Sequence, residues 1–180
     1  AFCAGPDADF TCEPQREFEA AADEFQKMLD SDPAFAARLE DEAEGDYRDP
    51  RIKAIVAIAP ALGRSFTPES LAEIDAPVLA VVGDKDEVAP AATNAAAIAA
   101  GVAASRYEVV PGAGHYTFLN PCTKKGLAFV EFCKDAKGVE RYWTHEAVAQ
   151  DIGDFFDATL HPASGWGESN PGWIEPYEPF

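Results

Sequence analysis

Two short and nearly continuous apolar runs, Ile52–Ala59 (IKAIVAIA) and Val78–Val82 (VLAVV), stand out from an otherwise mixed chain. Runs of this length without polar interruption read as strands buried on both faces of a parallel sheet. Ser105–Val110 reads as a third strand. Elsewhere the apolar positions recur at helical spacing. Phe18, Ala21, Ala22, Phe25 and Leu29 mark a helix over Glu13–Leu29, and Phe35 and Leu39 mark another over Ala34–Glu44, with Ser31-Asp-Pro33 as the break between them. Phe18, Phe25, Met28 and Phe35 are expected to pack rather than to touch a ligand.

Further helices are predicted over Glu69–Ile74, capped by Thr67, over the Ala-rich Pro90–Ala103, and over Thr123–Cys133. The last, Tyr142–Leu160, places Ala147, Val148, Ile152, Phe155, Phe156 and Leu160 on one side. From His161 onward Pro, Gly and aromatic residues dominate, and an irregular tail lying on the domain is expected. The order ααβαβαβαα is an α/β arrangement. Right-handed crossovers would lay the three strands side by side in one parallel sheet. Three strands are few for such a sheet, and one edge would expose a hydrophobic strand, so the chain reads like the end of a larger sheet.

Composition narrows the function classes. The 180 residues are 47% hydrophobic and 26% charged, with a net charge of −18. That suits one globular domain with a real core. So negative a chain argues against nucleic acid and anionic membrane surfaces as partners, because both call for a basic patch. No apolar stretch is long enough to span a bilayer, and Ala1-Phe-Cys-Ala-Gly does not read as a secretory signal. Residues 1–46 hold 14 acidic residues against three basic ones, so −11 of the charge lies there. A solvated helical face is the plain reading, and a halophilic or secreted origin the other.

Four cysteines fall as two local pairs, Cys3 with Cys12 and Cys122 with Cys133. Neither spacing suits zinc, which wants two to four residues between paired ligands. Two local disulfides are the expectation, each contributing roughly 2–3 kcal/mol by loop closure, and they place the chain in an oxidising compartment. The other reading is four buried thiols in a cytosolic protein.

The chemistry concentrates after the second and third strands. Val78–Val82 stops at Gly83 and opens into an acidic loop with Asp84, Asp86 and Glu87 before Pro90. About thirty residues on, the third strand ends in Pro111-Gly-Ala-Gly-His115. Ligands of open parallel sheets bind beyond the carboxyl ends of the strands. An acid there and a His after the next strand make the acid–base half of a nucleophilic triad.

The strand IKAIVAIAPALG, the acid turn GDKDEVAP, the His turn PGAGHYTFLNPC and the final helix ending in DFFDATL together resemble the C-terminal half of an α/β-hydrolase. The likeness is greatest to secreted dienelactone-hydrolase-like and cutinase-like serine esterases, and covers about residues 49–160. It implies that residues 1–160 are the C-terminal part of a hydrolase domain. Residues 1–46 would be an acidic helical segment, residues 49–160 would carry the acid and His strands, and residues 161–180 would be a tail. The nucleophile-bearing N-terminal half of the sheet would be absent. The family pattern makes the second Asp of the turn, Asp86, the triad acid, with Asp84 bonding locally. His115 would be the base, and His145 and His161 structural or surface residues.

The same pattern puts the nucleophile in a Gly-x-Ser-x-Gly elbow, which this chain lacks. Gly63-Arg-Ser65-Phe-Thr67 is the nearest substitute, and Ser169 in the tail a weaker one. The resemblance therefore implies an esterase of the carboxylic-ester class completed by a Ser on an upstream segment, the complementary half of the same hydrolase. Phe66, Tyr116 and Phe118 would line an acyl or small-ester site, on a small-molecule or polymeric ester. No metal or organic cofactor is implied, and the location would be secreted or periplasmic. The rival is an inactive hydrolase-like fragment or an interaction module whose sheet edge binds another chain. A nucleotide-binding domain is disfavoured, since no Gly-x-Gly-x-x-Gly or P-loop occurs.

Overall fold

The computed structural model describes residues 19–43 and 45–161. The chain divides into two compact units, residues 1–51 and residues 52–180. In the first unit, helix α1 spans Glu19–Ser31 and helix α2 spans Pro33–Ala43. The break falls where Ser31-Asp-Pro33 predicts it. Asp32 caps α2, its Oδ1 accepting from the backbone N–H groups of Ala34 and Phe35, both at 3.0 Å. Phe25 and Phe35 meet edge to face at 6.1 Å. The expected packing goes no further, because Phe25 and Met28 stay about half exposed and α2 buries no residue. Phe18 lies outside the described residues. After α2, Arg48 binds Asp46 through both carboxylate oxygens, and this pairing lowers the Asp46 carboxyl to about 2.

The second unit is an α/β layer structure. Strands β1 (Ile55–Ile58), β2 (Val78–Gly83) and β3 (Ser105–Val110) form one parallel sheet in the order β1-β2-β3. Ile55 pairs with Val78, and Val78 with Ser105. Helix α3 (Pro68–Ala72) joins β1 to β2, and α4 (Ala95–Gly101) joins β2 to β3. Helices α5 (Lys124–Phe129) and α6 (Arg141–Leu160) follow. This is the element order the sequence predicts. β1 is shorter than the apolar run Ile52–Ala59, since Ile52 and Lys53 are exposed before the ladder begins.

β2 is buried along its whole length, and its alternation explains why the run is apolar throughout. Val78 packs with Leu71, Ile98 and Val102, and Ala80 and Val82 pack with Ala95 and Ala99, so this face lies under α3 and α4. Leu79 and Val81 point the other way, into Val148 and Phe155 of α6, with Val56, Phe118, Ile152 and Phe156 around them. Each fully buried Leu or Val contributes about 1.5–3 kcal/mol. The alanines of α4 have a use beyond helix propensity, because their small side chains let the helix lie close on Ala80 and Val82.

α6 spans almost the predicted range, but its buried side is narrower than expected. Val148, Ile152, Phe155 and Phe156 face the sheet, while Ala147 and Leu160 are exposed. The predicted helix over Pro90–Ala103 is broken. A short 3-10 turn (Ala91–Thr93) precedes α4, and Asn94 between them takes φ −124° and ψ −95°, outside helical values. Thr123–Cys133 is likewise α5 followed by a 3-10 turn, with Thr123 Oγ1 capping through Gly126 N–H. Thr67 caps α3 as predicted, accepting from Ser70 N–H at 3.1 Å. Cys122 and Cys133 form the expected disulfide. The expected Cys3–Cys12 bridge lies outside the described residues.

Candidate active site

β2 and β3 point the same way, so the turns that follow them leave the same end of the sheet side by side. Backbone bonds zip the two turns together beyond the ladder. Asp84 N–H donates to Val110 C=O at 3.2 Å, and Lys85 N–H to Ala113 C=O at 3.0 Å. Gly83 makes that closeness possible, because a Cβ there would lie 1.9 Å from the Ala113 carbonyl oxygen. Asp84 was expected to bond locally, but it reaches beyond its own turn. Its Oδ1 accepts from Gly112 N–H at 2.6 Å and ties the acid turn to the His turn. Gly112 takes φ +74°, a value that favours glycine.

Asp86 and His115 meet across this seam. Asp86 Oδ2 lies 2.9 Å from His115 Nδ1. The carboxylate is buried, its side chain fully screened from solvent, whereas the imidazole keeps about a fifth of its surface exposed. Asp86 Oδ1 accepts from Ala89 N–H at 2.7 Å and Val88 N–H at 3.1 Å. Three donors thus hold one carboxylate in one orientation. An acceptor carboxylate at Nδ1 makes that nitrogen the N–H of the neutral ring, which leaves Nε2 with a free lone pair. Nε2 has no partner among the described residues. A buried, oriented acid on one ring nitrogen and an available base on the other is the arrangement general base catalysis needs.

The expected lining residues separate. Tyr116 stands edge-on to the His115 ring at 5.1 Å and leans on Phe132 at 5.5 Å. Phe118 is partly buried against the Leu79, Val81 and Phe155 cluster, so its place is in the core between the sheet and α6. Phe66 is half exposed beyond the loop that follows β1. Ser65 lies in the 3-10 turn Gly63–Ser65, is exposed, and makes no hydrogen bond with His115. Ser169 lies outside the described residues. His161 is exposed beside Asp157 at the end of α6. His145 is structural, with Nε2–H donating to Thr117 C=O at 2.7 Å. Among the described residues, no three His, Cys, Asp or Glu side chains gather into a metal-holding group.

Two features were not singled out by sequence reasoning. The loop after β1 carries two non-glycine residues with positive φ, Ala59 at 45° and Leu62 at 60°, a strained conformation for L-residues. That loop is held by buried Asn94, whose Oδ1 accepts from Gly63 N–H at 2.9 Å. Asn94 Nδ2 donates to Pro90 C=O and to Thr93 Oγ1, both at 3.1 Å. A lone Asn in an Ala-rich stretch, where a helix former is expected, was the available signal. Away from this end, on β3 and α6, burial pushes the carboxyls of Glu108 and Asp151 upward, with Arg106 opposing.

No protein-family model, curated protein or solved structure matches this chain. Among the described residues no helix is long and apolar enough to cross a membrane.

Proposed function

We propose that this chain supplies the acid and base of a Ser-His-Asp hydrolase that cleaves carboxylic esters. The observation that carries the reading is the 2.9 Å contact between buried Asp86 and half-buried His115, at the carboxyl ends of adjacent parallel strands. His115 Nε2 removes the proton of a serine hydroxyl, the serine oxygen attacks the ester carbonyl, and the imidazolium returns the proton to the leaving alcohol. Water then attacks the acyl-serine by the same route. Asp86 holds the ring in the Nδ1–H form and steadies the imidazolium. Tyr116, against the ring, is the aromatic wall available to an acyl group, and Phe66 a more distant one.

The serine belongs to a segment upstream of these elements, the complementary half of the hydrolase. Two observations support this: the exposed Ser65 makes no bond with His115, and among the described residues the sheet has only three strands with β1 at one edge. The Cys122–Cys133 disulfide suits an oxidising compartment, and secretion or a periplasmic location goes with this reading. The test is a fluorophosphonate probe applied to the protein, followed by intact masses of every polypeptide present. The expected adduct forms on a co-purifying or contiguous upstream segment and disappears in His115→Ala. An adduct on Ser65 or Ser169 would relocate the nucleophile to this chain. No adduct anywhere leaves the rival, an inactive fragment or interaction module.

A further inference from the structure

We propose that Thr117, oriented by a part-buried Asp135–Arg141 pair, is the positioning residue that sets His115 against Asp86. The inference rests on the acid–base reading of His115 and deepens it.

Thr117 is buried two residues beyond His115 in the same 3-10 turn, His115–Phe118. Its hydroxyl works in both directions. It accepts from Gly114 N–H at 3.0 Å and donates to Asp135 Oδ1 at 2.8 Å. Gly114 is the residue immediately before His115, so this bond holds the chain one peptide ahead of the one that leads into the base. The backbone of Thr117 is held as well. Its N–H donates to Gly114 C=O at 3.2 Å, and its C=O accepts from His145 on α6.

Asp135 is in turn held by both its oxygens. Arg141 Nε donates to Oδ2 at 2.9 Å and Nη2 to Oδ1 at 3.0 Å, the two-pronged pairing that fixes a carboxylate in a plane. Arg141 is only 7% exposed. It also donates through Nη2 to Phe132 C=O at 3.0 Å and through Nη1 to Asn120 C=O at 3.4 Å, one on each of the segments that carry Cys133 and Cys122. An ion pair largely withdrawn from water is a poor device for stability alone, since apolar replacements often serve as well. This one ends, through one hydroxyl, on the N–H beside the candidate base, and each link in it is satisfied. Such a network gives one orientation to what it holds.

The test uses the full chain and the His115 Nδ1 proton, observed by nitrogen-edited NMR. In the unsubstituted chain that proton is expected far downfield and slow to exchange with water, and to vanish in Asp86→Asn. Thr117→Val, which keeps the shape and deletes the hydroxyl, is expected to raise its exchange rate about tenfold, the effect of losing one net hydrogen bond in the closed state. Thr117→Ser is expected to restore slow exchange. A proton unchanged in Thr117→Val overturns the proposal. So does a Thr117→Val chain that fails to fold, because the hydroxyl then holds the domain rather than the ring. If Asp86→Asn leaves the proton in place, the acid–base reading itself falls and the positioning role with it. If Asp86→Asn removes it and Thr117→Val does not move it, only the positioning role falls.

Discussion

The turns after β2 and β3 and the loop after β1 leave the same end of one parallel sheet, yet they are built in opposite ways. The first two are zipped to each other by backbone bonds and by Asp84, and they enclose a carboxylate with no solvent exposure. The loop after β1 is exposed from Ala61 to Thr67 except at Gly63, contains two residues at positive φ, and donates a hydrogen bond from Gly63 N–H to the Asn94 side chain. The difference separates preorganisation from mere location. All three segments occupy the position where parallel sheets bind ligands, but only the β2–β3 pair fixes two chemical groups at bonding distance. A serine exposed on that loop shares the edge of the sheet and not the geometry.

The hardest blow to that contrast is a methyl group at the seam. Gly83→Ala places a carbon against the Ala113 carbonyl, which is backbone and has no rotamer to yield. Overpacking of this kind costs typically 1–3 kcal/mol, and at a backbone contact this close about 3 kcal/mol or more is expected. Urea unfolding followed by circular dichroism measures it. The substitution should also part the two turns, so the His115 Nδ1 proton should exchange fast even where the chain is folded. A stable Gly83→Ala with an intact His115 signal would mean that the two turns are not locked together.

Asn94→Ala tests the other side. It removes the acceptor of the buried Gly63 N–H and two donor bonds within its own turn. An orphaned buried N–H costs about 1–3 kcal/mol, and a loss of that size is expected in the same unfolding experiment. The contrast predicts that the His115 proton does not respond, because Asn94 fastens the loop after β1 and the acid–base pair stands on the next two strands. A His115 proton that exchanges faster in Asn94→Ala would join the three segments into one cooperative unit.

How far the sequence revealed this arrangement follows from the range of each interaction. The apolar run Val78–Val82, the Thr67 cap, the Ser31-Asp-Pro33 break and the short-range Cys122–Cys133 pair are local patterns, and each was legible. The nearness of the acidic turn to His115 was legible too, because parallel neighbours bring the ends of consecutive strands together once the order β2-β3 is granted, whereas the choice of Asp86 within that turn came from the hydrolase resemblance. Asn94 and the Thr117–Asp135–Arg141 chain were not legible, since the first depends on a polar side chain meeting a distant backbone group and the second on polar side chains from separate segments meeting one another, and no period announces either. A trace did exist. Arg141, Val148 and Phe155 are seven residues apart and are the three buried residues of α6, so an arginine stands on the apolar face of the helix. An unbroken helix through Pro90–Ala103 was the natural reading of its alanines, and the bonds of Asn94 to Gly63 and Pro90 overrule that propensity.

The smallest effect comes from the opposite side of the comparison, away from the carboxyl ends. Asp151 on α6 carries a raised carboxyl, first by burial, against the lowering pull of Arg106 and with a further push from Asp154. A carboxyl raised by folding binds its proton more tightly in the native chain, so its contribution favours the fold below the ordinary carboxylate range and is lost as pH rises through the raised value. Asp151→Asn removes that loss. Because the group is largely solvated, the expected gain at neutral pH is only about a few tenths of a kcal/mol, vanishing once pH falls well below the ordinary carboxylate value, as thermal unfolding at neutral pH and at about pH 3 would register. The His115 proton should be indifferent to it. A response there would carry the coupling from the β3–α6 face to the seam, and the division between a preorganised edge and an ordinary packing face would have to be redrawn.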